Sequence, residues 1–146
     1  MSRDTEFDKA WMDCAVAISK LSRARKKQVG AVIVKDGNII GVGFNGTPTG
    51  FDNICEDKEY YSEIEFKWIT RPEVLHAESN AIAKVAKSTQ SSEGASLYTT
   101  LSPCYDCAKL IIQAGISRVF YTEYYGHPEG IDLLLKAGVR IEEVKG

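Results

Sequence analysis

The chain has 146 residues, 44% of them hydrophobic and 26% charged, and a formal net charge of −2. That is the length of one domain, here 1–146, with enough apolar material to bury a core, which excludes whole-chain disorder; the slightly acidic balance disfavours nucleic acid, whose phosphate backbone calls for a strong positive bias. The longest apolar runs, such as Ala31-Val32-Ile33-Val34, fall far short of the about 20 residues of a membrane span, and the polar start Met1-Ser2-Arg3-Asp4-Thr5-Glu6 lacks the apolar segment of a secretory signal, so no membrane partner and a cytoplasmic location are expected.

Phe7, Trp11, Cys14, Ala15, Ile18 and Leu21 recur at steps of three and four, which predicts a helix starting near Thr5 as its N-cap and running to about Leu21. The basic stretch Arg23 to Lys27 follows. Val29 to Val34 and Ile39 to Phe44 are β-rich runs separated by Lys35-Asp36-Gly37-Asn38, the pattern of a hairpin. The turn-forming Asn45 to Gly50 leads into a segment up to Pro72 that shows no clean period and reads as a functional loop with room for a short helix. Leu75, Ala81, Ile82, Val85 and Ala86 predict a second helix ending about Lys87, and Ser88 to Gly94 a linker.

Strand Ala95 to Thr100, helix Cys104 to Ala114 closed by Gly115, strand Val119 to Thr122, helix Glu129 to Ala137 closed by Gly138, and strand Val139 to Glu142 complete the chain. Alternating strands and helices predict right-handed crossovers and an α/β fold of three layers, α/β/α. Its five-stranded mixed sheet takes an antiparallel edge from the N-terminal hairpin and parallel strands from the C-terminal half.

Four cysteines in a reducing compartment are thiols or metal ligands rather than disulfides. His76-Ala77-Glu78 opens one predicted helix and Pro103-Cys104-Tyr105-Asp106-Cys107 the next. Residues three apart in a first helical turn share a face, so the sulfurs of Cys104 and Cys107 can grip one metal ion, and the positive helix end favours their thiolates. With His76 they make three protein ligands, an arrangement that leaves a fourth position for water, whereas structural zinc sites are closed by four. Glu78, two residues after the imidazole, is placed to carry protons for that water.

H-x-E followed by P-C-x-x-C is the signature of zinc-dependent nucleobase deaminases. Together with Val29 to Val34, Gly43 to Gly50, His76 to Ile82 and Ser102 to Gly115, it resembles the deoxycytidylate (dCMP) deaminase family from about Phe7 to Val144. The resemblance implies a cytidine deaminase-like fold. It also implies one catalytic Zn2+ on His76, Cys104 and Cys107, with activated water attacking C4 of cytosine while Glu78 shuttles protons to N3 and to the departing amine. It implies that the Ala77 N–H and the Ser102 carbonyl hold the base, that Asn45 stands near the sugar, and that a homohexamer is switched on by dCTP and off by dTTP through the Phe44-Asn45-Gly46 loop. Phe44 departs from the tyrosine more usual in the family.

Arg25, Lys26 and Lys27 are the candidates for the substrate phosphate, beside the plain reading of a solvated basic connection. Tyr125 falls after the fourth predicted strand, at the carboxyl edge where open α/β sheets bind ligands. Cys14 lies on the apolar stripe of the first helix, His127 reads as a loop residue, Trp68 as site wall or core cap, and Cys55 lacks evident partners for a second zinc. Two alternatives stay open: another deaminase of this fold, acting on cytidine, guanine or tRNA adenosine, and a non-catalytic zinc-stabilised nucleotide-binding module.

Overall fold

A computed structural model describes residues 2–145. Helix α1 (Arg3–Ser19) is capped three residues before the predicted position, Thr5: Ser2 is the N-cap, and its Oγ accepts the Thr5 N–H at 3.2 Å. Ser2 thereby satisfies one of the free donors of the first turn, beside the acidic Asp4 and Glu6 that suit the helix's positive end. The buried stripe is centred on Met12, Ala15 and Ser19. At 100° per residue Phe7 lies roughly 140° round the helix from Met12, Leu21 falls beyond the C-cap Lys20, and both are exposed, so they do not belong to the stripe. Trp11, Cys14 and Ile18 pack at its margins.

Strands β1 (Gly30–Lys35) and β2 (Asn38–Phe44) form the expected hairpin. Asp36 and Gly37 both take positive φ, 51° and 77°, as a tight hairpin turn requires. The stretch read as a functional loop instead forms a second hairpin, β3 (Glu56–Tyr60) and β4 (Phe66–Thr70), paired antiparallel and apart from the main sheet. Both of its faces meet solvent for most of their length, so nothing imposes an apolar alternation on its sequence. No helix forms between Phe51 and Pro72.

The remaining elements are α2 (Ala77–Ala86), β5 (Ser96–Leu101), α3 (Tyr105–Gln113), β6 (Arg118–Glu123), α4 (Glu129–Lys136) and β7 (Arg140–Glu143). The main sheet has the order β2-β1-β5-β6-β7, antiparallel across its first two pairings and parallel across the last two. Ala31, Ile33, Leu97 and Val119 face Ala81, Val85, Ala108, Ile111 and Leu134 of the three later helices. Val32, Val34, Tyr98 and Phe120 face Met12 and Ala15 of α1. Tyr98 and Phe120, cross-strand neighbours, stack at 4.6 Å. Burial on both sides explains the unbroken apolar runs, and the result is the three-layer α/β/α fold with a five-stranded mixed sheet. Among the described residues no helix is long and apolar enough to cross a membrane.

One sheet edge collects the chemistry-bearing segments. Because β1 runs antiparallel to β2 and β5 while β6 runs parallel to β5, the start of β1 shares an edge with the ends of β2, β5 and β6. Helix α2 reaches it by lying directly on β2: a Cβ at Gly43 would stand 2.4 Å from the Ala77 carbonyl and 2.5 Å from the Ala81 nitrogen. These are backbone atoms of the helix that carries Glu78, so they cannot yield without moving it. Gly43→Ala is expected to cost about 1–3 kcal/mol, lowering the melting temperature by roughly 3–10 °C in a thermal scan. An unchanged melting point would show that α2 tolerates a wider seat.

Candidate active site

His76 and Cys104 are the N-caps of α2 and α3. Cys104 Sγ accepts the Cys107 N–H at 3.5 Å, the thiol counterpart of a serine cap. The loop carrying it is braced from behind, since a Cβ at Gly130 of α4 would fall 2.1 Å from the Pro103 carbonyl. His76 enters α2 from a short bridge between Leu75 and Gly46, whose N–H and carbonyl groups exchange bonds of 2.8 and 3.1 Å.

His76 Nδ1 lies 3.3 Å from Cys107 Sγ and 3.4 Å from Cys104 Sγ, and all three donor atoms fall within 4.8 Å of one another. Tetrahedral zinc, with bonds of about 2.3 Å to sulfur and about 2.0 Å to nitrogen, sets nitrogen-to-sulfur edges of roughly 3.5 Å. The donor set, one imidazole nitrogen and two sulfurs, is the borderline-soft one that zinc takes, so these residues fit the ion.

Hydrogen bonds from Cys107 and His76 hold the Cys104 thiol down at about 4. The Cys107 thiol is pushed up by its bond to Cys104 and by burial, and the His76 imidazole is raised by its bond to Cys104. Glu78, in the first turn of α2 and 5% exposed, has its carboxyl pushed up to about 7, chiefly by burial. A carboxyl poised near neutrality suits a group that both takes and gives protons.

His76, Ala77, Glu78 and Cys104 border a pocket of about 400 Å³, with Cys107 buried behind them. Asn45, Ser102, Tyr125, Lys26 and Lys27 line the same pocket. The Asn45 amide is already engaged, its Oδ1 accepting the Val29 N–H at 2.8 Å and its Nδ2 donating to the Lys27 carbonyl at 2.7 Å, so it also fixes the course of the pocket wall. Ser102 Oγ accepts the Tyr125 N–H at 2.8 Å and so ties the loop after β6 to the end of β5. Lys27 Nζ meets Glu123 at 2.6 Å.

Arg25 is the candidate that does not line the pocket: its guanidinium lies over the Trp68 ring, 4.8 Å from the centroid, fixing connector and second hairpin together. Phe44 and Gly46 border a separate pocket of about 310 Å³, with Arg23, Lys84 and Lys87 on its rim. Cys55, buried, stands in the wall common to both pockets. His127 packs against Tyr125 in the loop after β6. Glu56, Thr70, Val74 and Glu123 also line the pocket that His76, Glu78 and Cys104 border, and no motif in the sequence singles them out. Glu56 and Thr70 come from the segment without a readable period, and nothing local to them signals a pocket.

A family model described as the cytidine and deoxycytidylate deaminase zinc-binding region matches residues 5–123. The deoxycytidylate deaminase of Enterobacteria phage T4 is 34% identical, over 91% of this chain and 87% of that protein. The human deoxycytidylate deaminase is 43% identical over 76% of this chain and 64% of that protein. Among solved structures, the dCMP deaminase of cyanophage S-TIM5 in complex with dCMP and dUMP superposes with a TM-score of 0.85 at 42% identity, covering 98% of each chain.

Proposed function

The chain belongs to the cytidine and deoxycytidylate deaminase family, and on that premise we propose that it hydrolyses dCMP to dUMP and ammonia. One arrangement carries the reading: an imidazole nitrogen facing two sulfurs, with the buried carboxyl of Glu78, in the first turn of α2, bordering the same pocket. His76, Cys104 and Cys107 would hold one zinc ion, which when bound supplies the Lewis acidity that makes water a nucleophile near neutral pH.

Glu78 takes a proton from the attacking water and delivers it to N3 as oxygen bonds to C4. It then carries a second proton to the amino group, the C4–N4 bond breaks, and ammonia leaves. The Ala77 N–H, a first-turn donor without an intrahelical acceptor, binds the base carbonyl, and the Ser102 carbonyl accepts from the amine. Asn45 borders the sugar, Tyr125 packs on the base or touches the phosphate, and Lys26 and Lys27 meet the phosphate, Lys27 exchanging its Glu123 partner for the ligand.

The family resemblance extends the reading to a single-domain cytoplasmic homohexamer that supplies dUMP for thymidylate synthesis and responds to dCTP and dTTP. The pocket beside Phe44 and Gly46 supports effector binding, since its cations Lys84 and Lys87 sit at the far end of the helix that begins with His76 and Glu78.

Ammonia release is the test. Turnover should be rapid with dCMP and lower by about 100-fold in kcat/KM with deoxycytidine, which forfeits the charged hydrogen bonds to the phosphate. dCTP should raise turnover of dCMP and dTTP lower it. Faster turnover of deoxycytidine, guanine or a tRNA anticodon stem would overturn the substrate assignment.

A further inference from the structure

Glu56, the first residue of β3, is 4% exposed. Its Oε2 accepts the backbone N–H groups of Arg25 at 2.9 Å and Lys26 at 3.1 Å, across separations of 31 and 30 residues. Oε1 has no partner among the described residues, and among them no buried side-chain oxygen or nitrogen lacks one. Oε1 therefore reaches solvent, and the cavity that Glu56 borders is the catalytic pocket. A carboxylate oxygen held in place by two backbone donors acting on its twin is a rigid acceptor, and it selects a ligand that brings a donor.

The next step rests on the dCMP reading. That nucleotide offers two donors near neutral pH, the 4-amino group and the 3′-hydroxyl. The amine belongs at the reacting carbon, beside Glu78 and the three metal donors. Glu56 is anchored instead to the connector that brings Lys26 and Lys27 to the pocket, which is the phosphate side. We propose that Glu56 is a specificity-determining residue whose Oε1 accepts a hydrogen bond from the 3′-hydroxyl of the substrate.

The consequence reaches beyond affinity. Inside a DNA or RNA strand the 3′-oxygen is esterified, so it has no proton to donate and it brings a phosphate anion towards the carboxylate. Glu56 thus favours the free mononucleotide and repels a cytosine within a polynucleotide, on a fold that also serves nucleic acid substrates.

The experiment compares kcat/KM for dCMP, 2′,3′-dideoxycytidine 5′-monophosphate and deoxycytidine 3′,5′-bisphosphate in the parent protein and in Glu56→Gln, with Glu56→Asp as the second variant should the first not fold. The parent should discriminate against the dideoxy compound by about 100-fold. In either variant that ratio should shrink by at least about tenfold, and in Glu56→Gln the bisphosphate should gain relative to dCMP. A parent ratio near one, or variants that lose activity equally on all three compounds, would reduce Glu56 to a brace for the connector and overturn the proposal. A parent that ignores dCMP while deaminating another compound would instead fail at the substrate assignment, before any variant is made.

Discussion

Glu78→Gln should lose about 10²- to 10⁴-fold in kcat on dCMP while binding as much zinc as the parent. The amide preserves shape and keeps an acceptor, but it cannot take a proton from water and pass it to N3, so the loss falls on the chemical step rather than on substrate binding. Folding responds in the other direction. Burial raises the carboxyl from 4.5 to about 7 in the folded chain. Below 4.5 both folded and unfolded forms hold the proton; between 4.5 and about 7 the unfolded form gives it up more readily, and stability falls until the folded pKa is passed. With metal removed from both proteins, Glu78→Gln should therefore melt no lower than the parent at pH 8. The parent should gain relative to the variant as the pH drops towards 5. A zinc-loaded, well-folded variant with full activity would leave Glu78 outside the reaction.

That pair of readouts also marks what a sequence can carry. His76, Glu78, Cys104 and Cys107 are legible because their relations are local: two helix starts, with spacings of two and three residues that the first helical turn converts directly into a shared face. The central strands β1, β5 and β6 are legible because burial on both faces concentrates apolar and β-branched residues in them, and the edge strands β2 and β7 because a turn signal and a helix-closing glycine mark where they begin. Ser2 leaves no mark in an apolar periodicity because it is a polar cap among polar residues, and Met12 is hidden because the apolar spacing of Phe7, Trp11, Cys14, Ala15, Ile18 and Leu21 runs along the margin of the buried stripe, with Phe7 and Leu21 exposed. The β3–β4 hairpin is hidden for the reverse of the reason that makes the central strands legible: its backbone ladder is dressed by surface contacts, with Lys58 over Phe66 at 4.6 Å, Arg25 over Trp68 at 4.8 Å and Arg71 paired to Asp57, rather than by a core that would impose an apolar pattern. Glu56 and Arg25 were beyond reach because each meets its partner over a span that only the folded chain closes.

Cys104→Ser should bring bound zinc from about one ion per chain to near zero and abolish deamination, and treating the parent with a chelator should do the same until zinc is restored. A serine hydroxyl does not ionise near neutrality, whereas the Cys104 thiol, held at about 4 by its bonds from Cys107 and His76, is a thiolate before any metal arrives. The two sulfurs differ in this. Cys107 is buried and its thiol is pushed up by Cys104, so in the metal-free chain it keeps its proton and must surrender it for the ion to bind. Zinc uptake at pH 8 in weak buffer should accordingly release about one proton per chain, and affinity should climb about tenfold per pH unit. The His76 imidazole is also raised, by its bond to Cys104, so as the pH falls and it takes up a proton, uptake releases one more and the slope should steepen. Uptake without proton release would mean that Cys107 Sγ is not a ligand, and activity undiminished in the chelated protein would mean that the pocket does its chemistry without the metal.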